Sequence, residues 1–299
     1  MLYLAGRPDA GRAAGPGLAG TVPPCPGSFR PARGSRAGRY GPDMTISAKA
    51  AELLRLHTDP ELLVFVNVWD AISAKIVAGL PGCRAIATAS HSIAASHGYP
   101  DGERIPLDEM ITAVGRIAAA VDLPVTADLE AGYGDAGTTV RRAIGVGVVG
   151  GNIEDQMRPL ADAVAAVSAV VRAGEAEGVP FVLNARTDAF MLAADRDPAA
   201  VLADAIERGR AFLDAGAACV FVPGPLDAGP IGALVDGIGQ RKVSVIGYPG
   251  SVPQHELAAL GVARLSFGPF TQRFALTALA GAGADLLAGG ALPAISVVT

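Results

Sequence analysis

Eight short apolar runs, separated by longer stretches of helical character, constrain the fold more than any other feature of this chain. They are LLVFVNV (62–68), RAIATA (84–89), PVTADL (124–129), VVGGNI (148–153), PFVLNA (180–185), ACVFV (218–222), VSVIG (243–247) and RLSFG (264–268). Helical segments between them include 70–80, 107–121, 161–178 and 197–216. Runs that are continuously apolar, rather than alternating, suit a parallel sheet covered by helices on both faces. Glycine recurs where the helices end, as a C-terminal cap requires. Eight strand–helix pairs predict an α/β fold of the (β/α)8 TIM-barrel type over residues 44–299. The rival architecture is a doubly wound open sheet. No G-x-G-x-x-G follows the first strand, so the dinucleotide fingerprint of that class is absent.

Composition narrows the function. The chain has 299 residues, 51% of them hydrophobic, which is ample for one barrel core. A net charge of −5 and an aromatic content of 5% supply neither a basic stripe nor a stacking surface, so no nucleic-acid partner is expected. The apolar stretches are interrupted by Gly, Pro or charge, and no membrane span is expected. Cys25, Cys83 and Cys219 form neither a disulfide framework nor a zinc motif, and a reducing cytoplasm is the expected location. Cys219, inside an apolar run, reads as a buried small hydrophobe. Residues 1–43 are rich in Gly, Pro, Arg and Ala without periodicity and read as a disordered extension, with the natural start at Met44.

The chemistry-bearing residues stand where strands give way to loops, which in a barrel is the active-site face. Asp128 and Glu130 lie in TADLEAGYGD. Two residues apart on a strand, they would point the same way, and two like charges side by side call for a cation. The plainer alternative is a solvated acidic turn. Gly132 and Gly134 allow a sharp turn beside them. Glu154 in GGNIEDQ ends the next strand, and Asp155 reads as a cap. Arg186 in NARTDA offers a planar fork for an oxyanion, or else a structural partner for Asp188 or Glu154. The segment TASHSIAASHGYPD (88–101) reads as a loop in which Ser90 and His91 contact the substrate carboxylate. His91 is also a candidate acid or base, equally well a packed loop histidine. Trp69 follows the first strand and is assigned to the substrate side, Asp70 reads as an N-cap, and Tyr133 walls the pocket. His57 and His255 read as surface or helix-end residues. One or two carboxylates plus substrate oxygens suffice for Mg²⁺, with Mn²⁺ as a substitute.

At NVWDAISAKIV, ATASHSIAASHGYPD, ADLEAGYGD, NIEDQ, NARTDAF and ELAALGVARLSFGP the chain resembles the isocitrate lyase/phosphoenolpyruvate mutase superfamily. The segments occur in order over roughly residues 50–290. The resemblance implies a (β/α)8 barrel, often with the last helix exchanged between subunits, that binds Mg²⁺ and a 2-oxo acid. Asp128 would be the main metal carboxylate, with Glu130 and Glu154 completing the shell largely through water and Asp101 orienting that water. Arg186 would hold the oxyanion or phosphoryl end, and Ser90 the carboxylate. Where isocitrate and methylisocitrate lyases carry a cysteine-bearing loop, this chain reads QMRPL and enters a helix. The asparagine-bearing loop of the phosphonate mutases has no recognisable counterpart. GYPGS (247–251) also departs from the usual Gly-Pro-Gly. The chain is more similar to the carboxyvinyl-carboxyphosphonate phosphorylmutase-like branch.

The expected activity is that of an Mg²⁺-dependent lyase cleaving a C–C bond of a small 2-oxo or 2-hydroxy dicarboxylic acid through an enolate-like state. Arg186, His91 and Tyr133 are the candidate catalytic residues. A phosphonate mutase or hydrolase acting on a P–C bond is the alternative, and a non-catalytic oxo-acid-binding barrel a further one. A homodimer or homotetramer is expected, built on the Ala-rich closing helix.

Overall fold

The computed structural model describes residues 44–292, so the extension assigned to residues 1–43 lies outside the described residues. The elements, in order, are α1 (Ile46–Thr58), β1 (Leu63–Phe65), β2 (Asn67–Val68), α2 (Ala71–Ala78), β3 (Ile86–Thr88), α3 (Ser90–Ser96) and α4 (Leu107–Ala119). They continue with β4 (Val125–Asp128), α5 (Ala136–Gly145), β5 (Gly150–Glu154), α6 (Leu160–Ala176), β6 (Val182–Arg186) and α7 (Pro198–Asp214). The last are β7 (Cys219–Phe221), α8 (Ala228–Ile238), β8 (Val243–Ile246), α9 (Gln254–Ala259), β9 (Arg264–Ser266) and α10 (Phe270–Leu287). Each predicted run contains an observed strand. The one addition is a helix, α3, inside the segment read as a loop: it opens at Ser90, directly after β3.

All strands are parallel, in the order β1-β9-β8-β7-β6-β5-β4-β3-β2. β1 and β2 are two halves of one strand broken at Val66: β1 pairs with β9 and β2 with β3. The ring therefore closes through a split strand. Asn67 sews the split. Its Nδ2 donates to Thr88 O (2.8 Å), and its Oδ1 accepts from Phe267 N (2.7 Å) and Gly268 N (2.9 Å). One buried amide side chain thus bridges β3 to the end of β9. Each such bond contributes about 1 kcal/mol net. Asn67→Ala is expected to destabilise the barrel by about 2–3 kcal/mol, read as a lower midpoint in urea; an unchanged midpoint would show that the ring closes without it.

α1 plugs the amino-terminal end. A Cβ on Gly150 would meet Leu53 Cδ2 at 2.6 Å and Val182 O at 2.8 Å, so only glycine lets α1 seat there. His57, expected at a surface or helix end, lies at the end of α1 but is buried. Its Nδ1 donates to Leu53 O (2.8 Å). Burial, then the positive charge of Arg264, pushes its pKa down to about 3. Arg264 is itself fully enclosed, with its guanidinium 4.5 Å from the centre of the Phe65 ring. Asp70 caps α2 in a reciprocal box with Ser73, as expected. Cys219 is buried and unpaired. No helix among the described residues is long and apolar enough to cross a membrane.

Candidate active site

The parallel register delivers the site residues. Asp128 ends β4 opposite Asn152, and two residues further along β5 Glu154 lies opposite Arg186 of β6. These strand ends bring an acid, a second acid and a guanidinium to one rim of the barrel. Below them Asn184 Nδ2 donates to Asn152 Oδ1 (2.8 Å), tying β5 to β6 inside the ring.

Asp128 is held on one side only. Ser90 donates to its Oδ2 from both the hydroxyl (2.8 Å) and the backbone N–H (3.2 Å). Ser90, expected on the substrate carboxylate, is placed on the protein's own carboxylate. Asp128 Oδ1 is buried without a hydrogen-bond partner. An orphaned carboxylate oxygen costs free energy unless a ligand meets it.

Glu130 departs from the expected geometry. β4 ends at Asp128, and Glu130 has φ 54°, so strand alternation does not reach it. Tyr133 Oη donates to Glu130 Oε1 (3.0 Å), and the Glu103 N–H donates to Oε2. Gly132 makes the turn: its φ is 93°, and a Cβ there would sit 2.7 Å from Ala136 Cα. Burial and the nearby Asp128 charge push Glu130 up to about 7. Burial and Glu130 likewise hold the Tyr133 phenol above its ordinary range.

Arg186 takes the structural partners expected for it, Glu154 and Asp188. It faces the rim and is paired with both acids, Nη1 to Glu154 Oε2 (2.8 Å) and Nη2 to Asp188 Oδ1 (2.7 Å). Its Nε also donates to Asp188 Oδ1 (2.7 Å). Burial opposes the guanidinium charge, and Glu154, Asp188 and Asp128 more than offset it. Burial pushes Glu154 up and Arg186 pulls it down, while Asp188, Asp128 and Glu130 push it up again. Asp101, at the solvent edge, is raised by partial burial and by Asp128, and lowered by His91. His91 Nδ1 is buried without a partner. Trp69 is half-buried beyond β2, packed on the core.

Asp101, Asp128, Glu130 and Glu154 thus lie near enough to disturb one another's charge. They do not meet at a point: among the described residues no group of three or more His, Cys, Asp or Glu is gathered tightly enough to hold a metal ion. The physical reason is that Glu130 and Glu154 are each drawn to their own donors, leaving Asp128 Oδ1 as the free oxygen. In the sequence Asp188 reads only as a partner for Arg186; its place two residues past a strand-end arginine is the available signal for its larger part in the site. Glu103 carried none, since it acts through its backbone N–H and through Oε1, which accepts from Tyr133 N (2.5 Å).

Comparison with known proteins identifies the family. The sequence model described as phosphoenolpyruvate phosphomutase matches residues 53–287. An uncharacterized protein of Mycobacterium tuberculosis is 32% identical over 240 residues, covering 80% of this chain and 90% of its own length. The 2,3-dimethylmalate lyase of Eubacterium barkeri is 30% identical over 190 residues, covering 61% of this chain and 64% of the lyase. The structure of oxaloacetate acetylhydrolase in complex with its product oxalate superposes with a TM-score of 0.75 at 25% identity, over 85% of this chain and 91% of that one. The barrel, its strand-end acids and a family match spanning nearly all of the described chain lead to one conclusion: this protein belongs to the phosphoenolpyruvate phosphomutase family of the isocitrate lyase/phosphoenolpyruvate mutase superfamily.

Proposed function

We propose that this chain is a divalent-cation-dependent lyase, with Mg²⁺ the expected ion and Mn²⁺ a substitute, that cleaves a C–C bond of a small 2-oxo or 2-hydroxy dicarboxylic acid. The observation that carries this reading is Asp128 Oδ1, a buried carboxylate oxygen without a partner, beside Asp101, Glu130 and Glu154. An oxygen-only set of mutually repelling carboxylates suits a hard cation that keeps part of its water. Asp128 would hold it, and the other three acids would act on its water shell. When bound, such an ion supplies Lewis-acid polarisation of a substrate oxo group.

The chain's own residues do the rest. Ser90 fixes Asp128 through Oδ2 and leaves Oδ1 free. Arg186, locked by Glu154 and Asp188, presents a preorganised positive charge to the oxygen on which negative charge grows as the bond breaks. Trp69, half-buried beyond β2, would contact the substrate. Of the candidate proton donors, His91, Tyr133 and a metal-bound water, Tyr133 is the least favoured, because its hydroxyl proton is already committed to Glu130. The turn that replaces the cysteine-bearing loop supplies no thiol, since no cysteine lies between Cys83 and Cys219.

Assaying oxaloacetate, a substituted malate and phosphonopyruvate side by side tests the bond cleaved. Turnover of either of the first two, lowered about 10²-fold in His91→Gln, supports the reading. Turnover of phosphonopyruvate alone would transfer the site to P–C chemistry, and ligand-induced stabilisation without turnover would make it a binding barrel.

The proposal extends to assembly. α10 buries only Gln272, while Phe274 (79%), Leu279 (67%) and Leu287 (93%) are exposed. An 18-residue helix with that much apolar surface calls for a second copy, in a homodimer or homotetramer with α10 packed across subunits. Light scattering giving a monomer at micromolar concentration would contradict this.

A further inference from the structure

Directly after Glu154 the chain passes through two consecutive non-glycine residues in the left-handed region, Gln156 (φ 49°) and Met157 (φ 52°). Such a turn persists only where its surroundings over-determine it. Here the Asp155 carboxylate does so. Its Oδ1 accepts from Met157 N (3.0 Å) and from Asp188 N (3.0 Å). Asp188 in turn accepts from Gln156 N on Oδ2 (3.2 Å) and from Arg186 Nε on Oδ1 (2.7 Å). The turn and the Arg186 guanidinium are therefore two ends of one hydrogen-bonded knot.

The knot is anchored from outside the rim. Arg208, on α7, donates from Nη1 to Asp155 Oδ2 (3.1 Å) and to Arg158 O (3.0 Å), and from Nε to Asp204 Oδ1 (2.8 Å). The pair is nearly dry, with side-chain exposures of 10% for Arg208 and 2% for Asp155. A buried carboxylate with this many donors is held in one orientation, and the planar fork is what lets one cation serve three acceptors.

We propose that Arg208 is a positioning residue. By pinning Asp155 it fixes the turn at 156–157 and, through Asp188, the direction in which Arg186 faces the substrate. The inference rests on the proposed role of Arg186. It also gives the short QMRPL segment a function of its own: a rigid rim stands where relatives resembled by this chain carry a catalytic loop.

Amide hydrogen exchange on the free protein tests the knot, whichever acid the site takes. In Arg208→Met the Met157 and Asp188 amides are expected to exchange at least tenfold faster, while amides of β3 and α4 keep their rates. Oxalate binding in Mg²⁺, read by calorimetry, is expected to weaken about tenfold, with Arg208→Lys intermediate. Unchanged exchange at 157 and 188, or acceleration no greater than in β3 and α4, would overturn the proposal. Should Arg208→Met fail to fold because Asp155 is left buried and unpaired, Arg208→Lys keeps the charge and loses the fork. Faster exchange at Met157 and Asp188 is expected there too, and wild-type rates would overturn the proposal. A wild-type protein that binds no oxalate would count against the proposed function, and the exchange rates would still decide the knot.

Discussion

Asp128→Ala is expected to lower Mg²⁺-dependent turnover at least 10³-fold while leaving the fold intact. The carboxylate is half-buried at the end of β4, and only its Oδ2 is engaged, by Ser90. Its loss leaves one serine hydroxyl and one N–H to find water, which costs about 1 kcal/mol. It also relieves repulsion on Asp101, Glu130 and Glu154, each of which Asp128 pushes upward. Net stability without metal should change little. Catalysis should change greatly, because stabilising developing oxyanion charge contributes roughly 4 kcal/mol in sites of this kind, a factor of about 10³. Two measurements check this: kcat/KM against Mg²⁺ concentration, and the rise in Tm that Mg²⁺ gives the wild type. Retained turnover with a retained metal-dependent Tm would remove Asp128 from the mechanism.

Arg186→Gln is expected to damage both function and stability. The guanidinium neutralises Glu154 (2.8 Å) and Asp188 (2.7 Å), whose side chains are 14% and 5% exposed. Removing one partner from a buried pair costs about 3 kcal/mol, or roughly 6–10 °C in Tm for a domain of this size. The same change removes the fixed cation proposed to face the substrate, so kcat/KM should fall roughly 10²–10³-fold. Arg186→Lys separates the two effects. Its charge restores part of the stability, but an ammonium cannot reproduce the fork's Nε hydrogen bond to Asp188 together with its two ion-pair contacts. Lys should therefore remain at least tenfold impaired in kcat/KM. A Lys variant with wild-type kinetics would show that charge alone matters and that the fork geometry does not.

The barrel was legible in the sequence because its strands are short apolar runs covered on both faces, and because Gly and Pro punctuate the helices between them. The rim residues were legible for the same reason. Asp128, Glu154 and Arg186 are charges placed directly after apolar runs, and the register of β4, β5 and β6 carries them to one edge. What escaped lies where local pattern and spatial neighbour part company. Glu130 was read by strand alternation, but the backbone leaves the strand at Asp128 and enters a left-handed turn. The donors that hold Glu130 come from Glu103, 27 residues earlier, and from Tyr133. Arg208 reaches Asp155 across 53 residues from a helix that reads as ordinary. Asn67 sits in an apolar run, and nothing in its neighbours announces that it closes the ring. His57 has a helix-end sequence context and a core environment, because α1 turns inward to plug the barrel.

The most direct test is a crystal structure of the protein grown with Mg²⁺ and oxalate, a planar mimic of a pyruvate enolate. The expected result is an ion bonded to Asp128 Oδ1 at about 2.1 Å, with oxalate bound between that ion and Arg186. Oxalate bound without an ion, or an ion seated away from Asp128, would contradict the account.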